Sequence, residues 1–380
     1  MEKLRNQKRN RVSLICCLGA VSLFLPSCSE STAVDPADNG ADYFNLTDVE
    51  QDELSSEDLS TDPDALIFNP DDPFPPYLSQ VGIYPEAPDL TRVSSRAVHY
   101  QPVWPLWSNG SEKWRYIILP EGEVIDNADP ENWQFPVGTL LFKTFAFSDS
   151  AVPGGWRAIE TRIMRVTAEG IDFALYQWDE TGLDAVLLDM LMPVPLEVMT
   201  EESGTVPYTL PNLLLCRACH ESSVTQVIGF SEMQLNGPLH ESAPQDQLEH
   251  LETQGFFLHP ITDNPEAVVA EDELTHEVMG YVHGNCVHCH NGTNGPSSSY
   301  DLSYPVFIES TVGHATESSA SAPGVRVVPQ SPEESILFLA FSGETDNPEV
   351  KEMPPVGVDV RDQAAVELFR EWIMTLDEIE

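Results

Sequence analysis

From about Tyr77 to Pro195 the apolar positions fall in short runs rich in β-branched and aromatic residues. Thr139–Phe147, Ala158–Val166 and Ile171–Trp178 are such runs, and turn signals such as Glu169-Gly170 separate them. The pattern predicts an antiparallel β domain over 77–199. Between Thr200 and about Ala270 the apolar runs are short and broken by proline, which predicts short helices and loops over 200–270. The period then lengthens. Leu274, Val278 and Tyr281 recur at spacings of four and three. Ser331-Pro332-Glu333-Glu334 offers an N-cap, a proline at the first helical position and a capping glutamate ahead of Ile336–Phe341. Ala365, Phe369, Trp372 and Leu376 share one face of a last helix. Together these periods predict a multidomain α+β chain in which the β domain is followed by a mostly α-helical part over 271–380.

The two ends of the pattern differ. Residues 1–27 join a basic start (Lys3, Arg5, Lys8, Arg9, Arg11) to the apolar run Val12–Leu25, which reads as an export signal too short to span a bilayer. Leu25-Pro26-Ser27-Cys28 resembles a bacterial lipobox, so Cys28 is the expected lipidation site. With Ser29 after it, the expected location is the cell envelope, at the outer membrane of a diderm host and facing the periplasm or the cell surface. Residues 28–76 are rich in Asp, Glu, Ser and Pro with neither period, as expected for a disordered acidic tether.

Charge then narrows the partners. The 380 residues hold 62 acidic and 18 basic side chains, a formal net charge of −44. Loss of residues 1–27 removes five basic residues and one acidic one, leaving 13 basic against 61 acidic. Such a field repels nucleic acid and anionic head groups, so membrane contact is expected through the lipid anchor only. The tryptophans Trp104, Trp107, Trp114, Trp133, Trp156 and Trp178 are expected in the β-domain core rather than in a carbohydrate or quinone site.

Of the seven cysteines, Cys16 and Cys17 leave with the signal. Beside Cys28, the four that remain form two pairs, each followed by histidine. Cys216-Arg217-Ala218-Cys219-His220 and Cys286-Val287-His288-Cys289-His290 both fit C-x-x-C-H, the attachment sequence of c-type haem. Two thiols three positions apart can each add to one vinyl group of the porphyrin, and the next imidazole then reaches the iron. Two covalently attached haems c are therefore expected, on Cys216, Cys219, Cys286 and Cys289, with His220 and His290 as iron ligands. A thioredoxin-like redox pair lacks its βαβ setting here, and a Cys₂His set within five residues closes poorly around zinc. Met233 and His240 are the leading candidates for the second ligand of the first haem; His250, His259, His99 and an open position are alternatives.

A helix over 272–285, the motif Cys286–His290, a long loop, a helix near 333–342, Met353-Pro354-Pro355 and a last helix through Trp372-Ile373 together resemble a class I cytochrome c. The resemblance implies His290 as proximal and Met353 as distal ligand, with His314 as the rival. It also implies a close crossing of first and last helices, for which Gly280 is suited against Phe369 or Trp372. Trp104–Lys113, Phe135–Thr139, Glu160-Thr161-Arg162, Tyr176-Gln177-Trp178, the first haem motif and Asp246-Gln247-Leu248 resemble a family of exported two-haem bacterial c-type cytochromes over about 77–380. The chain departs from it at Asp246, where Asn is expected. Members often accompany quinoprotein sugar-dehydrogenase-like proteins, which implies a redox partner of that kind. The expected function is electron transfer from an exported dehydrogenase to a downstream acceptor. The alternatives are a two-haem peroxidase-like enzyme and a haem protein whose β domain binds a carbohydrate or quinone.

Overall fold

Six antiparallel strands in simple sequence order make the main sheet: β1 (Val98–His99), β2 (Glu112–Ile118), β3 (Leu140–Ser148), β4 (Trp156–Thr167), β5 (Gly170–Trp178) and β6 (Ala185–Leu187). The computed structural model describes residues 68–130, 132–201, 204–225, 227–240, 243–293, 300–317 and 322–377, and all of these lie in one compact unit, Glu57–Glu380. The expected export signal, Cys28 as the expected lipidation site and most of the expected tether lie outside the described residues. Among the described residues no helix is long and apolar enough to cross a membrane.

β3 occupies the middle of the sheet because its run Leu-Leu-Phe-Lys-Thr-Phe-Ala-Phe can be buried on both faces. One face carries Tyr116, Phe142, Ile163 and Tyr176, which pack against Leu78, Val81, Ile83 and Tyr84 of the segment leading into the sheet. Behind them Thr144 and Thr161 share a hydrogen bond, and the indole of Trp178 donates to Thr161. The other face reads Ile117–Leu141–Met164–Phe173 and Arg115–Lys143–Arg162–Leu175 across the four long strands. Its two ends are covered by separate apolar clusters, and its centre is left to the functional cavity described below.

A hairpin, β7 (Val194–Thr200) and β8 (Gly204–Leu210), leads into α1 (Leu213–His220). It runs through residues 199 and 200, where the sequence pattern changes character. α2 (Glu232–Leu235), a small ribbon of β9 (Pro238–His240) and β10 (Ala243–Asp246), and α3 (Gln247–Thr253) follow. Asp246 caps α3 by accepting from the amides of Leu248 and Glu249, a task the side-chain oxygen of Asn would also perform. Gln247, buried, trades two hydrogen bonds with the backbone of Gln101.

The mostly helical cytochrome-like domain expected after residue 270 does not form. The molecule is mostly antiparallel sheet with few, short helices. Beyond 270 the helices are α4 (Glu273–Asn285), α5 (Phe307–Thr311), α6 (Ile336–Ser342) and α7 (Gln363–Thr375). The residues between them are poor helix material: Gly343, Pro348, Pro354, Pro355 and Gly357 punctuate the stretch from α6 to α7. Isolated bridges such as Val312 with Val327 and Val325 with Ser335 hold much of the rest. Ser331-Pro332-Glu333-Glu334 opens a single 3₁₀ turn rather than α6, which starts after Ser335.

α4 and α7 do cross, with Tyr281 edge-on to Phe369 at 5.8 Å. Gly280 is not what the crossing uses. A Cβ at Gly280 would penetrate the ring of Trp104, and one at Gly284 would strike the Trp104 carbonyl oxygen. These glycines form a groove that receives the segment ahead of β2. The same segment is tied by the Trp107 amide to Asn285 Oδ1 (2.7 Å), by the Trp107 indole to the Val360 carbonyl (2.7 Å), and by Asn109 Oδ1 accepting from the amides of Asp359 and Val360. Trp133 and Trp178 are buried, and Trp114 and Trp156 meet edge-on at 5.1 Å while packing on the sheet core; Trp104 packs in the cluster of α4 and α7 and Trp107 lines the cavity, so these two are not in the β-domain core.

His283, in the last turn of α4, has its pKa lowered to about 4 by burial. Unfolding therefore takes up a proton at this site between about pH 6.5 and 4, so stability falls as pH drops through that window. His283→Leu is expected to flatten this part of the profile by about 2–3 kcal/mol at pH 4, measured as the difference in unfolding free energy between variant and parent at pH 7 and pH 4. Identical slopes would show that His283 titrates alike in the folded and unfolded chains.

Candidate functional site

The first Cys motif closes α1. Asn212 caps the helix by accepting from the amide of Leu215, and helical spacing then sets Cys216, Cys219 and His220 on one face. The second motif begins where α4 ends: Cys286 is its C-cap, and the amides of Cys289 and His290 both donate to the Cys286 carbonyl. Asn291 Nδ2 donates to the carbonyl of Ser222 at 2.9 Å, tying the chain after one motif to the chain after the other.

Both motifs open on a single cavity of about 1030 Å³, at the upper end of the range for cofactor sites. Cys216, Cys219, His220, Cys286, Cys289 and His290 all line it. All four thiols are free. The thiols of Cys219 and Cys289 are in hydrogen-bond contact, which holds Cys219 down to about 4 and pushes Cys289 up. Burial raises Cys286 to about 12 and raises Cys216 also. His220 packs on Phe173 at 5.3 Å and His290 on Tyr300 at 5.4 Å, so each imidazole is backed by an aromatic ring.

Met353 lines the same cavity, anchored by its amide donating to the Ala340 carbonyl and packed against Ala340 and Val350. Met233 is not among the lining residues and packs in the cluster of α4 and α7. The side chain of His240 lies outside what the structure describes. His259 pairs with Asp126, His99 stacks on Tyr116, and His314 is exposed; none of the three lines the cavity. Sequence reasoning passed over His288, a spacer residue of the second motif. It lines the cavity, touches Cys219 of the first motif, and keeps a buried Nδ1 with no partner, as does His290. The period of the motif gave no hint of this, because the contact joins two separate motifs.

The wall opposite the helices comes from the sheet. Glu160, fully buried, accepts from Arg162 at both oxygens (2.9 and 2.5 Å) and from the Tyr208 hydroxyl at 2.6 Å. Burial opposes the Arg162 charge, but the Glu160 carboxylate more than offsets this and keeps the guanidinium protonated.

Comparison with protein-family models, curated proteins and solved structures finds no match to the chain. Two of the stretches singled out in the sequence have structural roles in this fold: Trp104–Lys113 docks on α4, and Glu160 with Arg162 forms the ion pair of the sheet wall.

The residues present fit a covalently attached porphyrin. Among the described residues no three of His, Cys, Asp and Glu converge as an ion-binding set. A porphyrin brings four equatorial nitrogens of its own, so it asks of the protein only thiols for attachment and axial donors. Free thiols, ring-backed imidazoles and a thioether around one large cavity are that set.

Proposed function

We propose that the chain is an exported two-haem c-type cytochrome that passes electrons between an exported dehydrogenase and a downstream acceptor. The observation that carries this reading is the convergence of both C-x-x-C-H motifs on one cavity large enough for a cofactor. Cys216 with Cys219 and Cys286 with Cys289 would hold the two groups, with His220 and His290 as axial donors. Met353 is the candidate second donor for the group on Cys286 and Cys289. Iron held in this way cycles between ferric and ferrous states and carries one electron at a time. The chain's own part is to exclude water with its mostly apolar walls and to back each imidazole with Phe173 or Tyr300. The acidic excess favours docking of a basic redox partner, of which a quinoprotein dehydrogenase is the candidate. An anchor at Cys28 would keep the carrier in the cell envelope.

The test is haem quantitation and intact mass on protein matured in a host with c-type biogenesis. Two covalent haems per chain are expected, falling to one when either Cys216 and Cys219 or Cys286 and Cys289 are changed to Ala. A mass without added haem, or one reporting a Cys219–Cys289 disulfide, would overturn the reading.

A further inference from the structure

The sheet wall of the cavity carries more positive charge than it can match. Cross-strand register sets Arg115 opposite Lys143 and Lys143 opposite Arg162, so three cations stand side by side on one face of β2, β3 and β4. All three line the cavity. Lys113 lies on the same face of β2, two residues before Arg115, and donates to the Leu106 carbonyl at 3.2 Å. Like charges directly opposite one another across a sheet are destabilising. Four of the 18 basic residues of a strongly acidic chain are thus gathered on one interior wall, the reverse of what solubility asks.

Arg162 is matched by Glu160, whereas the carboxylates that favour the charges of Arg115 and Lys143, Glu112 and Glu160, make no ion pair with either among the described residues. Glu160 is the carboxylate on this face of the three strands, and Arg162 and Tyr208 occupy it. Across the cavity, Glu317 pairs with Arg326 and Glu352 with Arg361, while Asp359 accepts from Thr209 and Asp362 caps α7. Arg115, 4% exposed, reaches the neutral amide oxygen of Gln101 at 2.8 Å. The Lys143 ammonium rests over the Phe145 ring at 4.8 Å. Neither has an ion pair among the described residues. Burial, then the neighbouring cations, holds Lys143 well below its usual range, and burial lowers Arg115 to about 10.

We propose that Arg115 and Lys143 form an anion site on the cavity wall and that its occupant is a carboxylate. A guanidinium edge and an ammonium side by side match planar carboxylate oxygens, and the apolar lining around them suits a ligand whose remainder is hydrophobic. Two sources share that chemistry: the acidic side chains of an attached porphyrin, which rests on the two-haem reading, and a small organic acid entering the cavity, which does not.

The test uses the full mature chain as parent, Lys143→Met, and Lys143→Arg as the control that keeps the charge. If the porphyrin supplies the carboxylates, Lys143→Met lowers one of the two reduction potentials, because losing a positive charge favours ferric iron. Lys143→Arg then keeps the parent value, and added succinate leaves the unfolding midpoint of the parent unchanged. If a free acid is the ligand, succinate raises the parent midpoint saturably, and Lys143→Met weakens that binding about tenfold or more while Lys143→Arg retains it. The proposal is overturned if Lys143→Met keeps both potentials and succinate has no saturable effect. Equal shifts in the Met and Arg variants overturn it too, since they report packing rather than charge. Haem quantitation separates this from the functional reading: a chain without haem still has the succinate arm to decide the site. Should Lys143→Met fail to fold, Lys143→Gln takes its place.

Discussion

Glu160→Ala is expected to destabilise the folded chain by about 3–5 kcal/mol, the usual cost of removing one partner of a buried ion pair. Glu160 is fully buried and holds Arg162 at both oxygens and Tyr208 at one. Without it the Arg162 guanidinium joins Arg115 and Lys143 in a row of cations with no carboxylate on their face of the three strands. Because the cost comes from the uncompensated charge, the double variant Glu160→Leu, Arg162→Met should recover much of the loss. Tyr208→Phe, which removes one hydrogen bond to the carboxylate, should cost about 1–3 kcal/mol. Urea midpoints of the four proteins check the order. A double variant less stable than Glu160→Ala would mean that the pair holds the cavity wall by shape rather than by charge.

Gly284→Ala is expected to be as damaging for a steric reason. The added methyl would meet the Trp104 carbonyl oxygen, which is backbone and is held by the hydrogen bonds that Trp107 makes to Asn285 and Val360. Overpacking of a fixed site costs about 1–3 kcal/mol and more where backbone must move. Gly280→Ala presses instead on the rigid Trp104 ring, and Trp104→Ala should relieve it. The expected signature is non-additivity: Trp104→Ala with Gly280→Ala less unstable than the sum of the single changes. Strict additivity would show that the groove and the indole do not meet in solution.

These two sites mark the limits of sequence reading here. The strands β3, β4 and β5 and the helices α4 and α7 fall where their periods place them, because a side chain's face within one element follows from spacing alone. The helical share after residue 270 is smaller than the periods imply. Periodic runs announce helices, whereas the Pro- and Gly-rich stretches between them announce only that no helix continues. Gly280 was legible as a close-approach glycine, but its partner was not, since Trp104 lies far away along the chain.

The candidate site divides in the same way. Spacing within five residues identified both C-x-x-C-H motifs, with their thiols and imidazoles, because that chemistry is local. Met353 followed from a resemblance, and the fold brings it to the same cavity; Met233 it turns into the helical cluster instead. The convergence of the two motifs, the contact of His288 with Cys219, and the row Arg115–Lys143–Arg162 depend on strand register and on the docking of α4 against the segment ahead of β2. The sequence by itself determined the period-bound elements, the charge excess and the two C-x-x-C-H motifs. Tertiary structure alone decided which residues face one another across the cavity, because such contacts arise from burial summed over the whole unit, and no local spacing encodes that sum.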